Sequence, residues 1–168
     1  RLGIHMNFSP VVDINTNPNN PIIGNRSFGE NKINVTNKSL AMMKGMETAG
    51  ILTSAKHFPG HGDTSQDSHK VLPKIKFSKA RIDSIELFPY RELIKKGLSS
   101  VMIAHLNIPS YDKNIPSSMS ENIVTDLLKN KLNFNGLIIT DALDMKGATS
   151  SSKNINLDLQ ALIAGNDL

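Results

Sequence analysis

Three short apolar runs alternate with helical patterns along this chain, and each run ends in an ionisable residue. The runs cover residues 51–55, 100–104 and 137–140, and they have the length of buried strands. Apolar strands that alternate with helices are typical of a parallel sheet covered by helices. The sequence therefore predicts an α/β fold in which the carboxyl ends of the strands share one edge.

The strand ends carry polar side chains. A further strand is predicted over residues 6–14, where Pro10 fits an edge or a bulge better than a central ladder. The four strands then end at or beside Asp13, His57, His105 and Asp141. In a (β/α) barrel the functional site lies at the carboxyl ends of the strands. These four residues are therefore candidate site residues.

Four helical segments are predicted between the strands. The first lies before Gly50, with a cap at Thr36, Asn37 or Ser39, and the third has its cap at Ser118 or Ser120. The second covers residues 78–96, where Pro89 must kink the helix or start a new one. The last covers residues 155–163, and another strand is expected to begin directly after it.

The densest cluster of ionisable groups occupies residues 56–69, Lys-His-Phe-Pro-Gly-His-Gly-Asp-Thr-Ser-Gln-Asp-Ser-His. His57 and His61 have the i, i+4 spacing that indicates metal binding on a helix. Pro59 and Gly60 disfavour a helix there, and a chain without cysteine has no Cys-based zinc site. We therefore expect no metal and no cofactor, and we interpret His61 as structural.

Several of these residues have an ordinary structural interpretation as well. Asp141 fits the N-cap of a following helix as well as a catalytic carboxylate. Asp67 and His69 fit a local hydrogen-bonded turn as well as a proton-transfer pair. Asp13 fits a cap for the Asn-rich turn that follows it.

Two basic residues depend on local geometry. Lys56 and His57 point to opposite sides of a regular strand, so both reach one site only if the chain twists or bulges there. Arg26 lies in the turn-rich segment 15–29, and loops of that length are often functional.

Composition excludes other classes of function. The net charge of +4 comes from scattered basic residues rather than a run, which disfavours a nucleic-acid surface. No apolar run approaches the roughly 20 residues that a membrane-spanning helix needs.

The cluster at residues 56–69 resembles the signature of family 3 glycoside hydrolases, in particular their β-N-acetylglucosaminidase branch. Residues 7–14 (Asn-Phe-Ser-Pro-Val-Val-Asp-Ile), 26–29 (Arg-Ser-Phe-Gly) and 137–145 (Leu-Ile-Ile-Thr-Asp-Ala-Leu-Asp-Met) agree with the same family. The resemblance implies a TIM-type barrel and a retaining β-N-acetylhexosaminidase. Terminal N-acetylglucosamine would be released, with cell-wall fragments as the expected source.

The resemblance also implies roles for individual residues. Asp141 would be the nucleophile, and His69 with Asp67 the general acid/base. Lys56, His57 and Arg26 match positions that hydrogen-bond the terminal sugar. The resemblance gives Asp13 and His105 either a substrate-binding role or a place in the pocket floor.

The family carries an Asp-Gln-Glu-Gly-Gly motif upstream that is absent from these 168 residues. Residues 1–168 are therefore expected to be a partial (β/α) barrel that lacks the first strands and the last strand, with a further domain conceivable downstream. The compartment, bacterial cytoplasm or cell envelope, stays open. Two alternatives also stay open: a phosphorylase of the same family, and a non-catalytic sugar-binding barrel.

Overall fold

The computed structural model describes residues 3–68, 70–149 and 156–168. Four parallel strands form one sheet in the order β1–β2–β3–β4. The strands are β1 (Met6–Asn7), β2 (Leu52–Phe58), β3 (Ser100–Ile103) and β4 (Leu137–Thr140). The predicted α/β fold with a parallel sheet is confirmed. Because all strands run the same way, their carboxyl ends meet at one edge.

The first strand is shorter than predicted, since regular pairing ends at Asn7. The following residues still run beside β2. The Lys56 N–H donates to the Pro10 carbonyl at 3.1 Å, and the Val12 N–H donates to the Lys56 carbonyl at 2.8 Å. Pro10 is tolerated here because only its carbonyl takes part in the pairing, so the missing N–H leaves no hydrogen bond unmade. This irregular extension brings Asp13 to the carboxyl end of β2.

Helices cover the connections between the strands. Their bounds are α1 (Lys32–Thr48), α2 (Lys79–Ser84), α3 (Leu87–Lys95), a π-helical segment π1 (Asn122–Lys131), α4 (Lys146–Thr149) and α5 (Leu157–Ala164). Two short 3-10 turns lie at Gly24–Arg26 and Ser117–Met119. Among the described residues, no helix has the length and apolarity to cross a membrane.

The predicted start of the first helix is wrong. The side chain of Asn31 accepts hydrogen bonds from the N–H groups of Ile33 and Asn34, so Asn31 is the N-cap. The proposed cap Thr36 lies inside α1 and donates its hydroxyl to the Lys32 carbonyl. The Asn-rich loop thus ends in a helix cap, which the apolar spacing did not reveal.

Two other helix boundaries follow from local chemistry. The second helical region is divided into α2 and α3, and Pro89 lies in the first turn of α3, where a missing N–H costs nothing. No side chain caps π1, because the hydroxyls of Ser118 and Ser120 bind His105 and Asp112 instead. Ser120 still occupies the predicted cap position in its backbone, because its carbonyl accepts from the N–H groups of Ile123 and Val124, but its side chain caps nothing.

The core lies between the sheet and the helices. Phe58 on β2 packs edge-to-face against Tyr90 on α3, with ring centroids 5.0 Å apart, and both residues are fully buried. Val101, Ile103 and Ile138 extend the same apolar layer across the sheet. This packing fixes the position of the strand ends. The backbone of Asp167 and Leu168 hydrogen-bonds to β4 where the further strand was expected.

Gly62 carries the tightest backbone contact among the described glycines. A Cβ atom there would lie 1.9 Å from the carbonyl oxygen of Ile14. We expect Gly62→Ala to destabilise the complete protein by about 3 kcal/mol or more, because neither backbone can withdraw easily. The measurement is the free energy of unfolding from chemical denaturation.

Gly45→Ala is the matched control for this substitution. Gly45 lies in α1 and its added Cβ would meet nothing within 4 Å. We expect it to stabilise by roughly 0.5–1 kcal/mol, since alanine is the better helix former. Equal effects of the two substitutions would contradict the argument from the close approach to Ile14.

Candidate active site

A cleft of about 370 Å³ opens at the carboxyl edge of the sheet. Four of the residues expected at the site line it together, namely Arg26, Lys56, His57 and Asp141. Apolar side chains form part of the remaining wall, with Phe8, Ile22, Met102 and Ile139 among them. Charged groups beside an apolar wall are the usual composition of a small-molecule site.

An irregularity in β2 explains how two consecutive residues reach the same cleft. The pairing register between β2 and β3 shifts between Ala55 and Phe58, so the alternation of a regular strand is broken at Lys56 and His57. Both side chains line the cleft as a result. The bulge that the sequence required for a shared site is present.

Asp13 lies beneath the cleft instead of on its wall, with only 1% of its surface exposed. Its Oδ2 accepts from the Nδ1 of His57 at 2.6 Å and from the His57 backbone N–H at 3.1 Å. Its Oδ1 accepts from the His61 backbone N–H at 2.6 Å. Burial raises the pKa of Asp13, but the contacts with His57 and His61 lower it and prevail. The buried carboxylate is therefore satisfied as an anion.

The loop that carries Arg26 is fastened to the loop that follows β2. Asn20 donates to the His61 carbonyl at 2.8 Å, and Thr16 donates to Asp63 at 2.8 Å. The Arg26 Nη2 then lies 3.3 Å from the Nε2 of His57. These bonds between two loops place a residue from an exposed segment at the edge of the cleft.

Lys56 is half-buried among charged groups. Burial lowers its pKa, and the positive charge of Arg26 lowers it further. The negative charges of Asp141 and Asp13 act in the opposite direction. Lys56 is thus an electrostatic partner of Asp141 within the cleft.

Asp141 is held at the end of β4 by its own backbone. Its N–H donates to the Ile103 carbonyl at 2.8 Å, and its Oδ1 accepts from the Ala142 N–H at 2.9 Å. The next helix begins only at Lys146, so Asp141 is not its N-cap. Within the described part of the chain, its Oδ2 has no hydrogen-bond partner and is available to a ligand.

His105 supports the loop after Asp141 from below. It is almost fully buried, and its Nε2 lies 3.0 Å from the Ala142 carbonyl. Since a carbonyl only accepts, Nε2 carries the proton and Nδ1 accepts from the Ser118 hydroxyl at 2.7 Å. Burial lowers the pKa of His105. Both ring nitrogens are occupied, which favours the pocket-floor interpretation over direct sugar binding.

His61 is also buried, although its ring reaches the lining of the cleft. Its Nδ1 lies 2.7 Å from the Thr64 hydroxyl, and its Nε2 lies 3.3 Å from the Ser68 hydroxyl. Burial lowers its pKa. The rings of His57 and His61 are 6.0 Å apart, and their nitrogens bind protein groups. Among the described residues, no three His, Asp or Glu side chains form a group that could hold a metal ion.

The expected proton-transfer pair lies partly outside the described residues, because His69 is not among them. Asp67 is half-buried, and its carbonyl accepts from the N–H groups of Lys70 and Val71. The intervening Ser68 lines the cleft, and its carbonyl accepts from the Gly147 N–H at 2.9 Å. Ser68 thereby connects this loop to the segment after Asp141.

Sequence reasoning missed some cleft residues. Met102 and Thr140 lie near the ends of β3 and β4, and the rule that sites form at strand ends could have found them. Ser68 and Ile22 had no comparable signal, because tertiary contacts alone bring their loops to the cleft.

Comparisons with known proteins agree with this geometry. The sequence profile of the glycosyl hydrolase family 3 N-terminal domain matches residues 1–168. The β-hexosaminidase A of Pseudoalteromonas piscicida is 41% identical over 99% of this chain. A family 3 β-N-acetylglucosaminidase from Paenibacillus sp. FPU-7 superposes with a TM-score of 0.96 at 40% identity, over 99% of this chain. The β-glucoside phosphorylase BglX superposes with a TM-score of 0.95 at 29% identity, again over 99%. This chain spans only 30–32% of the length of these three proteins.

The buried histidines generate a prediction for the pH dependence of stability. His61 and His105 both have a pKa lowered by burial from the ordinary value of 6.5. Below pH 6.5 these two histidines bind protons more readily in the unfolded chain than in the folded protein. Their contribution to the free energy of unfolding is therefore complete above pH 6.5 and is lost as the pH falls. Each histidine changes the free energy of unfolding by at most about 1.4 kcal/mol per pH unit.

Chemical denaturation of the complete protein between pH 7.5 and pH 5 measures this slope. We expect His105→Asn and His61→Asn each to reduce the slope, since asparagine keeps a polar group but binds no proton. A slope that stays the same in both variants would show that acidification acts on other groups.

Proposed function

Because this chain belongs to glycosyl hydrolase family 3, we propose that it supplies the catalytic cleft of a retaining β-N-acetylhexosaminidase. The substrate class is terminal β-linked N-acetylglucosamine, with peptidoglycan fragments as the expected source. The single observation that supports this best is the convergence of Asp141, Lys56, His57 and Arg26 on one cleft at the strand ends. The similarity to a β-N-acetylglucosaminidase over nearly the whole chain supports the choice of sugar.

In the first step, a carboxylate oxygen of Asp141 attacks the anomeric carbon while the bond to the leaving oxygen breaks. The His69 imidazolium, oriented by Asp67, donates its proton to that oxygen. Positive charge develops on the sugar ring, and the Asp141 carboxylate stabilises it. The product is a glycosyl ester on Asp141 and a free alcohol.

In the second step, water attacks the same carbon and the ester bond to Asp141 breaks. Neutral His69 takes the proton from that water, and the Asp141 carboxylate is restored. Two inversions leave the β configuration unchanged. Lys56, Arg26 and His57 provide hydrogen-bonding groups for the sugar hydroxyls at the wall of the cleft throughout.

A phosphorylase is the second candidate function. The observation in its favour is the similarity of this chain to the β-glucoside phosphorylase BglX. In that reaction phosphate replaces water in the second step, and the product is a sugar 1-phosphate. Lys56 and Arg26 give the cleft positive charge that favours an anion. Product analysis in phosphate buffer separates the two reactions, because free N-acetylglucosamine as the sole product excludes phosphorolysis.

We expect Asp141→Ala in the complete protein to reduce the turnover of an aryl β-N-acetylglucosaminide by a thousandfold or more, which is roughly the order of loss seen when a nucleophile is removed. Asp144→Ala is the matched control, because Asp144 is an exposed carboxylate in the same loop. Retention of more than a few per cent of activity by Asp141→Ala would remove Asp141 from the role. A wild-type protein that binds the sugar without any turnover would indicate the non-catalytic barrel.

His69→Ala should affect substrates according to their leaving groups. An activated aryl group departs without a proton, whereas a sugar or alkyl alcohol requires one. We therefore expect the variant to lose much more of its first-step rate on poor leaving groups than on activated ones. Measuring kcat/KM over a series of aryl glycosides tests this. Equal losses across the series would assign His69 a structural role.

A further inference from the structure

Three N–H groups converge on the Asp13 carboxylate, and two of them belong to His57. The His57 Nδ1 is 2.6 Å from Oδ2, while the His57 Nε2 is 3.3 Å from the Nη2 of Arg26. Asp13 is 1% exposed, so water does not compete for these contacts. The two nitrogens of one ring thus face a pure acceptor on one side and a pure donor on the other.

This pattern determines where the ring proton lies. A carboxylate only accepts and a guanidinium only donates. The proton of His57 is therefore on Nδ1, which donates to Asp13, and Nε2 carries a lone pair that accepts from Arg26. A proton on Nε2 would instead point at another N–H. The hydrogen bond of one ring nitrogen sets the tautomer and hence the role of the other.

From this geometry we infer that Asp13 is a positioning residue that keeps the proton of His57 on Nδ1, so that Nε2 stays a hydrogen-bond acceptor at the cleft wall. The inference rests on the proposed function in one respect, since the guanidinium of Arg26 that Nε2 holds at the cleft wall is a group that binds the sugar hydroxyls. Asp13 itself touches no substrate. It acts through His57, and Lys56 and Arg26 supply the complementary donors.

A second contact of Asp13 supports this assignment. Its Oδ1 holds the backbone N–H of His61, and the His61 carbonyl receives Asn20 from the loop of Arg26. The Asp13 carboxylate therefore orients the His57 ring. It also fixes the backbone at His61, to which the loop of Arg26 is hydrogen-bonded through Asn20. Removing it should disturb sugar binding more than bond cleavage, because Asp141 has no direct contact with Asp13 in the described hydrogen bonds.

Nitrogen NMR of the complete protein, labelled on its histidine side chains, tests the inference without substrate. The wild-type spectrum should show His57 with its proton on Nδ1. In the Asp13→Leu/Arg26→Ala double variant, where no donor opposes a proton on Nε2, the proton should move to Nε2. Asp13→Leu alone removes both acceptor oxygens at similar side-chain volume and should reduce the share of His57 that carries its proton on Nδ1. In the same variant, KM for an aryl β-N-acetylglucosaminide should rise about tenfold to a hundredfold, which corresponds to one or two charge-assisted hydrogen bonds. The fall in kcat should be smaller than that rise.

Asp63→Leu is the matched control, because Asp63 lies in the loop that follows β2, close to His57 and His61 in sequence, but accepts from Thr16 instead of His57. It should leave the His57 tautomer unchanged. If Asp13→Leu does not fold, Arg26→Ala decides, since Arg26 is exposed and its removal leaves Asp13 in place. The proton should then stay on Nδ1.

Two results would overturn the inference. One is a wild-type His57 with its proton on Nε2. The other is a proton that stays fully on Nδ1 when Asp13 is replaced, or one that moves to Nε2 in Arg26→Ala. The spectra do not depend on turnover. A protein with the expected tautomers but without hydrolysis would therefore contradict the proposed function and leave the role of Asp13 intact.

Discussion

The cleft depends on a buried carboxylate, Asp13, which the irregular extension of β1 brings to the carboxyl end of β2. An ionised carboxylate at 1% exposure is costly unless its oxygens are hydrogen-bonded. Asp13 meets that requirement with three N–H groups, all from the segment after Ala55. These hydrogen bonds offset the free energy that burying the charge costs. The same bonds fix the His57 ring and the backbone of His61, so they also set the geometry of the cleft. Stability and geometry are linked at this point.

The charges around the cleft follow from the same arrangement. Lys56 and Arg26 lie close enough for each to act on the other, and Asp13 and Asp141 oppose their mutual repulsion. The ammonium group of Lys56 also gives the cleft a hydrogen-bond donor for the sugar of the proposed function. Two cations and two anions thus lie in a small, partly buried volume, where opposite charges attract each other more strongly than in bulk water.

The sequence predicted the parallel sheet, the strand ends and four residues of the cleft wall, because the apolar strands and the turn residues of the 56–69 segment are visible as local patterns. It placed the start of α1 too late, since the cap at Asn31 precedes the apolar spacing on which the prediction relied. It also could not separate the residues on the wall from those beneath it. Asp13 and His105 have the same strand-end position as His57 and Asp141, and only burial and hydrogen-bond partners distinguish them.

Two loops of separate origin must meet for the proposed chemistry, and the contacts around Gly147 show how they do so. The Gly147 N–H binds the Ser68 carbonyl, and a Cβ at this position would lie 2.9 Å from that oxygen and 3.1 Å from the Cβ of His105. His105 in turn holds the Ala142 carbonyl beside Asp141. The loop of Asp67 and the loop of Asp141 therefore share one backbone contact above one buried histidine. The segment of Asp67 and Ser68 is thus anchored to the segment after Asp141, so the two parts of the chain on which the proposed mechanism depends are linked through the fold.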